Sequence, residues 1–204
     1  MLTDQQSCSP HLLHRYTCAH TNTNTNTNSV LAQSLTSATR FPYCDRQSLK
    51  WRYRRVSLLK EMLSLNADVL CLQELDNYDE WWRGKMGLAG YDGVYLAHQG
   101  ENRRDGLAVF YKRDLFQLFR TEEVYFNDLA SDFANPARAM TGNVALMVGL
   151  QPWEESVHAS AMCITSTQVS CIVVCLLPLF RLYFQIALSN LFVPIFLPEQ
   201  TIHP

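Results

Sequence analysis

The spacing of apolar residues predicts a helix followed by a buried strand near the middle of the chain. From Lys50 to Leu65, apolar side chains recur every three or four positions, which is typical of an amphipathic helix. Asn66 then gives a helix stop, and the run Val69–Leu72 has the length of a strand that is buried on both faces. The apolar face of the helix comprises Trp51, Leu58, Leu59, Met62 and Leu65.

A hairpin is predicted after this unit. Tyr91–Ala97 and Leu107–Tyr111 have strand composition, and a polar turn that contains Gly100 separates them. The helix and the buried strand together indicate an α/β unit that ends at the edge of a sheet.

Both ends of the chain differ in composition from this middle part. Residues 1–28 end in a four-fold Thr-Asn repeat, Thr21–Asn28, which is typical of a disordered low-complexity tract. Cys171–Leu197 is apolar, but Arg181 and two prolines interrupt it. A charge near the centre of a membrane helix costs roughly 2.5 to 3.5 kcal/mol on insertion scales, so we expect no membrane association.

Composition limits the possible classes of protein. With 204 residues, 48% of them hydrophobic, the chain can form one globular domain. The net charge of −2 argues against broad nucleic-acid affinity but leaves room for a local basic groove. The seven cysteines occur in unlike contexts, which favours reduced thiols and an intracellular protein. A cytoplasmic or nuclear location is expected, and organelle targeting remains open.

Glu74 is the strongest candidate for chemistry. It follows the apolar strand directly, in Val69–Glu74, and ligands of α/β sheets bind at the strand ends. A carboxylate at this place suggests metal or phosphate chemistry, whereas the alternative is a side chain that simply emerges into solvent.

Several ordered blocks make the chain resemble the endonuclease/exonuclease/phosphatase superfamily, in the branch of the yeast carbon catabolite repressor 4 protein and its plant and algal homologues. The resemblance covers about residues 30 to 167. Its blocks are Phe41–Cys44, Leu49–Arg55, Asn66–Glu74, Asp76–Asp79, Gly90–Tyr95, Arg103–Lys112, Asn127–Leu129, Asn143–Leu146 and Gln151–Trp153.

The resemblance implies a fold and an activity. The fold is a four-layer α/β/β/α sandwich, here incomplete at the C-terminus. The activity is that of a magnesium-dependent 3′-to-5′ exoribonuclease, a deadenylase that shortens poly(A) tails in mRNA decay. Its partners would be single-stranded RNA and deadenylase-complex proteins. A neighbouring, nocturnin-like branch removes a phosphate from dinucleotide phosphates, and this alternative stays open.

Carried over by position, Glu74 matches the metal-binding glutamate of the family. The family's asparagine on the first strand falls on Ser29 in an ungapped alignment, while Asn28 is one place early and would point to the opposite face. Both are substrate-binding candidates, with Ser29 preferred. Arg104 and Asp105 lie in a segment that is near the substrate cleft in the family and would help to position phosphate; the alternative is a solvated turn.

The family's later catalytic groups are missing from this sequence. Gln168 stands where the resemblance would place a histidine, and the similarity stops after it. We therefore expect residues 29–168 to be the first part of the domain and residues 169–204 to be an unrelated apolar tail, as in a truncated or misspliced sequence. A further alternative to the enzyme activities is that the chain is a noncatalytic fragment.

Overall fold

The computed structural model describes residues 13–18, 23–130, 141–153, 160–166 and 172–176, with side chains for residues 23–128 and 141–153. Five strands form the first sheet, in the spatial order β1-β2-β3-β5-β4. Strands β2 and β3 are parallel, and the other neighbours are antiparallel. The strands are β1 (Leu13–Cys18), β2 (Thr23–Ser29), β3 (Val69–Leu75), β4 (Tyr91–Ala97) and β5 (Gly106–Lys112).

A second, antiparallel sheet has its four strands in sequence order. They are β6 (Phe116–Tyr125), β7 (Val144–Pro152), β8 (Ser160–Ser166) and β9 (Ile172–Leu176). The helices are α1 (Trp51–Ser64), α2 (Arg83–Leu88) and α3 (Phe126–Ala130), with a 3₁₀ turn at Gln33–Leu35 and a π-helical turn at Tyr78–Trp82.

Strand β3 lies between two hydrophobic cores because its side chains alternate between the faces of the sheet. Leu70 and Leu72 pack on the helical side, with Met62 of α1. Val69 and Cys71 pack on the other side against β7 of the second sheet. The described residues therefore form helices, first sheet and second sheet in layers, which agrees with the predicted α/β/β/α sandwich.

The elements predicted around β3 are confirmed. Helix α1 differs from the predicted range by one residue at each end, and Asn66 stops it with a left-handed backbone (φ 45°). The predicted hairpin is formed by β4 and β5. No helix in the described ranges combines the length and apolarity that crossing a bilayer requires.

The expectation of disorder in the Thr-Asn repeat is wrong for residues 23–28. They form most of strand β2, which is hydrogen-bonded on both sides, to β1 and to β3. Backbone pairing in a sheet does not depend on side-chain polarity, and a two-residue repeat matches the two-residue period of a strand. The remaining residues of the predicted tract, apart from strand β1, lie outside the described residues.

Two further expectations need correction. The dispersed cysteines suggested reduced thiols, but Cys44 and Cys71 are both disulfide-bonded. Residues 172–176, which the sequence assigned to an unrelated apolar tail, form strand β9 on the edge of the second sheet. The rest of the predicted tail lies outside the described residues.

Strand β2 buries polar side chains that lack partners. Asn26 is only 1% exposed, and neither its amide oxygen nor its amide nitrogen has a hydrogen-bond partner. The hydroxyl of Thr25 and the amide oxygen of Asn28 are unpartnered as well. A buried polar group without a partner costs about 1 to 3 kcal/mol, so this strand is the least favourable part of the first sheet.

We predict that Asn26→Leu stabilises the protein. Asn26 is paired in register with Leu70, and leucine would place apolar surface where polar atoms are now unpartnered. The free energy of unfolding should rise by about 1 to 3 kcal/mol in urea titration. Asn24→Leu is the matched control, because Asn24 lies on the same face but donates to the carbonyl of Asn66. Equal or lower stability of the Asn26 variant would contradict the prediction.

Candidate active site

The candidate site lies at one edge of the two packed sheets. Because β2 and β3 are parallel and β5 runs against them, the ends of β2 and β3 lie beside the start of β5. Strand β4 ends there too, and two hydrogen bonds join its end to the start of β7: Gln99 N to Gly142 O (2.9 Å) and His98 Nε2 to Asn143 Oδ1 (3.3 Å). Side chains from both sheets therefore meet at this edge.

A bulge in β3 sets the direction of Glu74. Leu72 pairs with Ala108 and Leu75 with Gly106, so that two residues, Gln73 and Glu74, lie opposite one residue of β5. Glu74 has a left-handed backbone with φ 55°. A glutamate rarely adopts this conformation, which costs on the order of 1 to 3 kcal/mol, and such strain is concentrated at functional sites. The strained residue is the one that the sequence singled out.

Ser29 contacts Glu74 directly, whereas Asn28 does not. Ser29 Oγ donates to Glu74 Oε2 at 2.9 Å, which links the ends of β2 and β3. Asn28 points to the helical side, where its amide nitrogen lies 4.0 Å from the sulfur of Met62. The expected one-residue difference in side-chain direction is therefore present. Ser29 occupies the position beside the carboxylate, as preferred from the sequence.

Asp105 is buried and holds Arg103, a residue that the sequence candidates missed. Both carboxylate oxygens accept from the guanidinium of Arg103, each at 2.5 Å. The hydrogen bonds to Asp105 raise the pKa of Arg103, against the effect of its burial, and the charges of Asp105 and Glu74 add to the increase. Arg104, the predicted phosphate contact, has an exposed side chain. A buried aspartate at position 105 requires a cation, but the sequence could not say which neighbouring arginine supplies it.

His98 anchors the loop between β4 and β5. Its Nδ1 accepts from the backbone N–H of Gly100 at 2.8 Å, so the ring proton lies on Nε2, which donates to Asn143 Oδ1. An imidazole whose two ring nitrogens are both hydrogen-bonded acts as a structural anchor. The role of Asn143 was not visible in the sequence.

The chain that leaves β2 is held close to the site by two charged residues. Asp76 is buried and accepts from the backbone N–H of Gln33 at 2.7 Å. Arg54 of α1 donates to the carbonyls of Val30 (2.8 Å) and Leu31 (2.7 Å). Burial lowers the pKa of Arg54, and the charge of Asp76 partly offsets the decrease. These bonds fix the backbone immediately after Ser29.

The pKa of Tyr95 reflects the electrostatic environment at this edge. Its ring stacks on Tyr78 with centroids 4.7 Å apart. Burial raises the pKa of Tyr95 to about 12, and the charges of acidic residues, among them Asp105 and Asp76, add to the increase. Burial disfavours any charged group at this position, and the nearby carboxylates add a negative potential.

The donor set fits Mg²⁺ only in part. Asp105 is occupied by Arg103, and Asp76 accepts from Gln33, so Glu74 is the carboxylate best placed to hold a metal. Within the described ranges, no three His, Cys, Asp or Glu side chains form a metal-binding group. Mg²⁺ is commonly held by one or two carboxylates together with water and substrate phosphate oxygens. Glu74 would supply one such ligand, and the magnesium site remains a prediction.

Sequence comparison identifies relatives of this chain. The sequence profile described as "Endonuclease/Exonuclease/phosphatase family" matches residues 22–181, which reach beyond the boundary expected at residue 168. The Arabidopsis thaliana "Carbon catabolite repressor protein 4 homolog 4" is 38% identical over 101 residues, which are 50% of this chain and 24% of that protein. The Saccharomyces cerevisiae "CCR4-Not complex 3'-5'-exoribonuclease subunit Ccr4" is 31% identical over 143 residues, 60% of this chain and 17% of that protein.

Solved structures give the same relationship. The crystal structure of ANGEL2, described as a 2′,3′-cyclic phosphatase, matches with a TM-score of 0.55 and 30% identity, over 63% of this chain and 37% of that chain. The predicted fold class is thereby confirmed, and the chain spans well under half of the length of these relatives. The profile covers most of the sequence, from β2 to beyond β9, so the chain belongs to the endonuclease/exonuclease/phosphatase family.

Proposed function

We propose that the complete domain to which this chain contributes is a magnesium-dependent 3′-to-5′ exoribonuclease that shortens poly(A). The observation that carries the proposal is Glu74, whose backbone is strained and whose carboxylate accepts a hydrogen bond from Ser29 at the edge where both sheets end. The family membership supports hydrolysis of phosphate esters. The similarity to yeast Ccr4, named as an exoribonuclease subunit of the CCR4-Not complex, favours RNA as substrate and deadenylase-complex proteins as partners.

The residues of this edge have complementary roles in the proposal. Bound Mg²⁺ would supply charge stabilisation for the oxygens that attack and leave phosphorus. Glu74 would hold the ion, and the hydrogen bond from Ser29 fixes the orientation of its carboxylate. Arg103 uses Nε and Nη2 for Asp105, so Nη1 is the atom that would face a substrate phosphate. The raised pKa of Arg103 keeps this guanidinium charged.

The location that accompanies this function is the cytoplasm or nucleus, and targeting to an organelle remains open.

A second candidate activity is favoured by the similarity to ANGEL2, whose crystal structure contains adenosine-2′,3′-vanadate. In that activity, Glu74 would again hold a metal ion and Arg103 would again contact the phosphate. The dinucleotide phosphatase activity that the nocturnin-like branch suggests is a third substrate class.

Glu74→Gln should abolish most magnesium-dependent hydrolysis in a protein that contains the complete domain. The substitution keeps the size of the side chain but removes the charge that would hold the ion, so kcat/KM should fall at least a hundredfold. Glu80→Gln is the matched control, because Glu80 is exposed on the π-helical turn. Unchanged turnover of labelled oligo(A) by the Glu74 variant would refute the assignment.

Substrate choice separates the candidate activities. The complete domain should remove single nucleotides from the 3′ end of oligo(A) and spare oligo(C), because stacking and base-edge contacts discriminate among bases in single strands. Gel analysis of end-labelled oligonucleotides measures this directly. Release of phosphate from a 2′,3′-cyclic end or from a dinucleotide phosphate, with oligo(A) left intact, would assign the domain to one of the alternatives.

The 204-residue chain on its own should be inactive, as expected for a noncatalytic fragment. Its described residues offer one well-placed metal ligand, and Gln168 stands at the position where the resemblance expects a histidine. Catalytic groups that act as a unit lose activity by many orders of magnitude when most of them are missing. Degradation of oligo(A) by the purified chain, at a rate that EDTA abolishes, would contradict this prediction.

A further inference from the structure

Basic residues are concentrated in the segment that connects the candidate site to helix α1. Six of the 17 Lys and Arg residues lie between Arg40 and Arg55, with Asp45 as the one acidic residue in that range, although the whole chain has a net charge of −2. Arg54 and Arg55 are directed inward, to backbone carbonyls and to the ring of Trp81. The other four side chains are exposed: Arg40, Arg46, Lys50 and Arg52.

Exposed aromatic rings alternate with these cations. Tyr43 is 73% exposed, and Phe41 packs against it edge to face with ring centroids 6.1 Å apart. Tyr53 is 43% exposed, and the guanidinium of Arg52 lies over its ring at 4.7 Å. We call residues 40–53 the basic-aromatic segment. Exposed rings next to unburied cations form the combination by which proteins bind single-stranded nucleic acids.

Stability does not explain this pattern. Lys50 and Arg52 lie at the start of α1, where the helix dipole disfavours cations, and the first turn contains no acidic residue. Asp45 uses its carboxylate for the backbone N–H groups of Gln47 and Ser48. Among the described residues, ion pairs are made by other cations, namely Arg83, Arg103, Lys112, Arg113 and Arg120. The exposed charges of the segment are therefore available to a phosphate backbone.

The segment is tied to the candidate active site by Gln33. Its side-chain nitrogen donates to the carbonyl of Leu49 at 3.0 Å, and its backbone N–H donates to Asp76 at 2.7 Å. The four residue-to-residue steps from Ser29 to Gln33 span at most about 14 Å. A strand of RNA whose end lies at Glu74 can therefore continue onto the basic-aromatic segment.

We propose that the basic-aromatic segment binds the single-stranded RNA upstream of the 3′ end that reaches Glu74. Arg40, Arg46, Lys50 and Arg52 contact phosphates, and the rings of Tyr43 and Tyr53 stack on bases. The choice of ligand rests on the proposed nuclease function, but binding to the segment requires neither a metal nor turnover.

Fluorescence anisotropy with labelled oligo(A), in EDTA and over a range of salt concentrations, tests the proposal on the full chain. Each phosphate contact with a single strand contributes about 0.7 to the slope of log K against log salt concentration. Arg46→Gln with Arg52→Gln should therefore reduce the slope by about 1.4. Lys60→Gln with Arg83→Gln removes the same charge from other exposed positions and should leave the slope unchanged. Equal slopes for both double variants would overturn the proposal.

The aromatic contribution has its own pair of variants. Tyr43→Ala should weaken binding of oligo(A) by roughly tenfold, while Tyr43→Phe, which keeps the ring, should bind like the parent. Photo-cross-linking followed by mass spectrometry gives a second readout, with cross-links expected at Tyr43 or Tyr53. Cross-links confined to other parts of the chain, or equal binding by both Tyr43 variants, would refute stacking.

Two outcomes distinguish this inference from the proposed function. If oligo(A) binds through the segment but the complete domain releases no nucleotide, the nuclease proposal fails and the binding surface stands. If the complete domain degrades oligo(A) and the segment variants bind normally, the inference fails and the nuclease stands. Binding to vesicles of phosphatidylserine that oligo(A) does not displace would also overturn it, because the segment would then recognise an anionic lipid surface.

Discussion

The left-handed backbone at Glu74 is the constraint on which the geometry of the whole edge depends. A regular strand would alternate its side chains to the end, and the carboxylate would follow the pleat. The bulge opposite β5 interrupts that alternation between Leu72 and Leu75, just before the edge of the sheet. The carboxylate is thereby brought to Ser29, and Asp76 falls where it can hold the chain that leaves β2. One unfavourable residue thus positions two polar contacts.

The two cores on either side of β3 provide the rigidity that maintains this strain. Leu70 and Leu72 are fully buried under α1, and Cys71 is fully buried against the second sheet. A strand that is packed on both faces cannot relax its bulge without disturbing both layers. Two arginines near this edge are also held in place without a ligand. Arg54 donates to a backbone carbonyl, and Arg103 donates to the buried carboxylate of Asp105. The site is therefore organised in advance of binding.

Sequence patterns anticipated the parts of the fold that local physics determines. The period of α1, the apolar run at Val69–Leu72 and the hairpin turn each carry their own signal, and the structure agrees with them. Strand β2 could not be predicted, because Thr and Asn repeats lack the apolar side chains that mark a buried strand. Asn143 was missed because its role depends on the approach of two distant segments of the chain. Arg103 was missed because the sequence does not show which of two neighbouring arginines pairs with Asp105. The bulge at Glu74 has no local signature, since its cause is the pairing with β5.

Strand β2 has the unusual property that its repeat and its pleat share a period of two residues. Moving such a strand by one Thr-Asn unit returns every side chain to an equivalent position and the same face. The pattern alone therefore cannot define the alignment with β3, and the Ser29–Glu74 hydrogen bond and the Val30–Gln73 backbone bond mark the correct one. Gain or loss of a whole unit would change the length of chain before β2 while leaving the active edge in place. The repeat is tolerant of the copy-number changes to which repetitive sequences are prone.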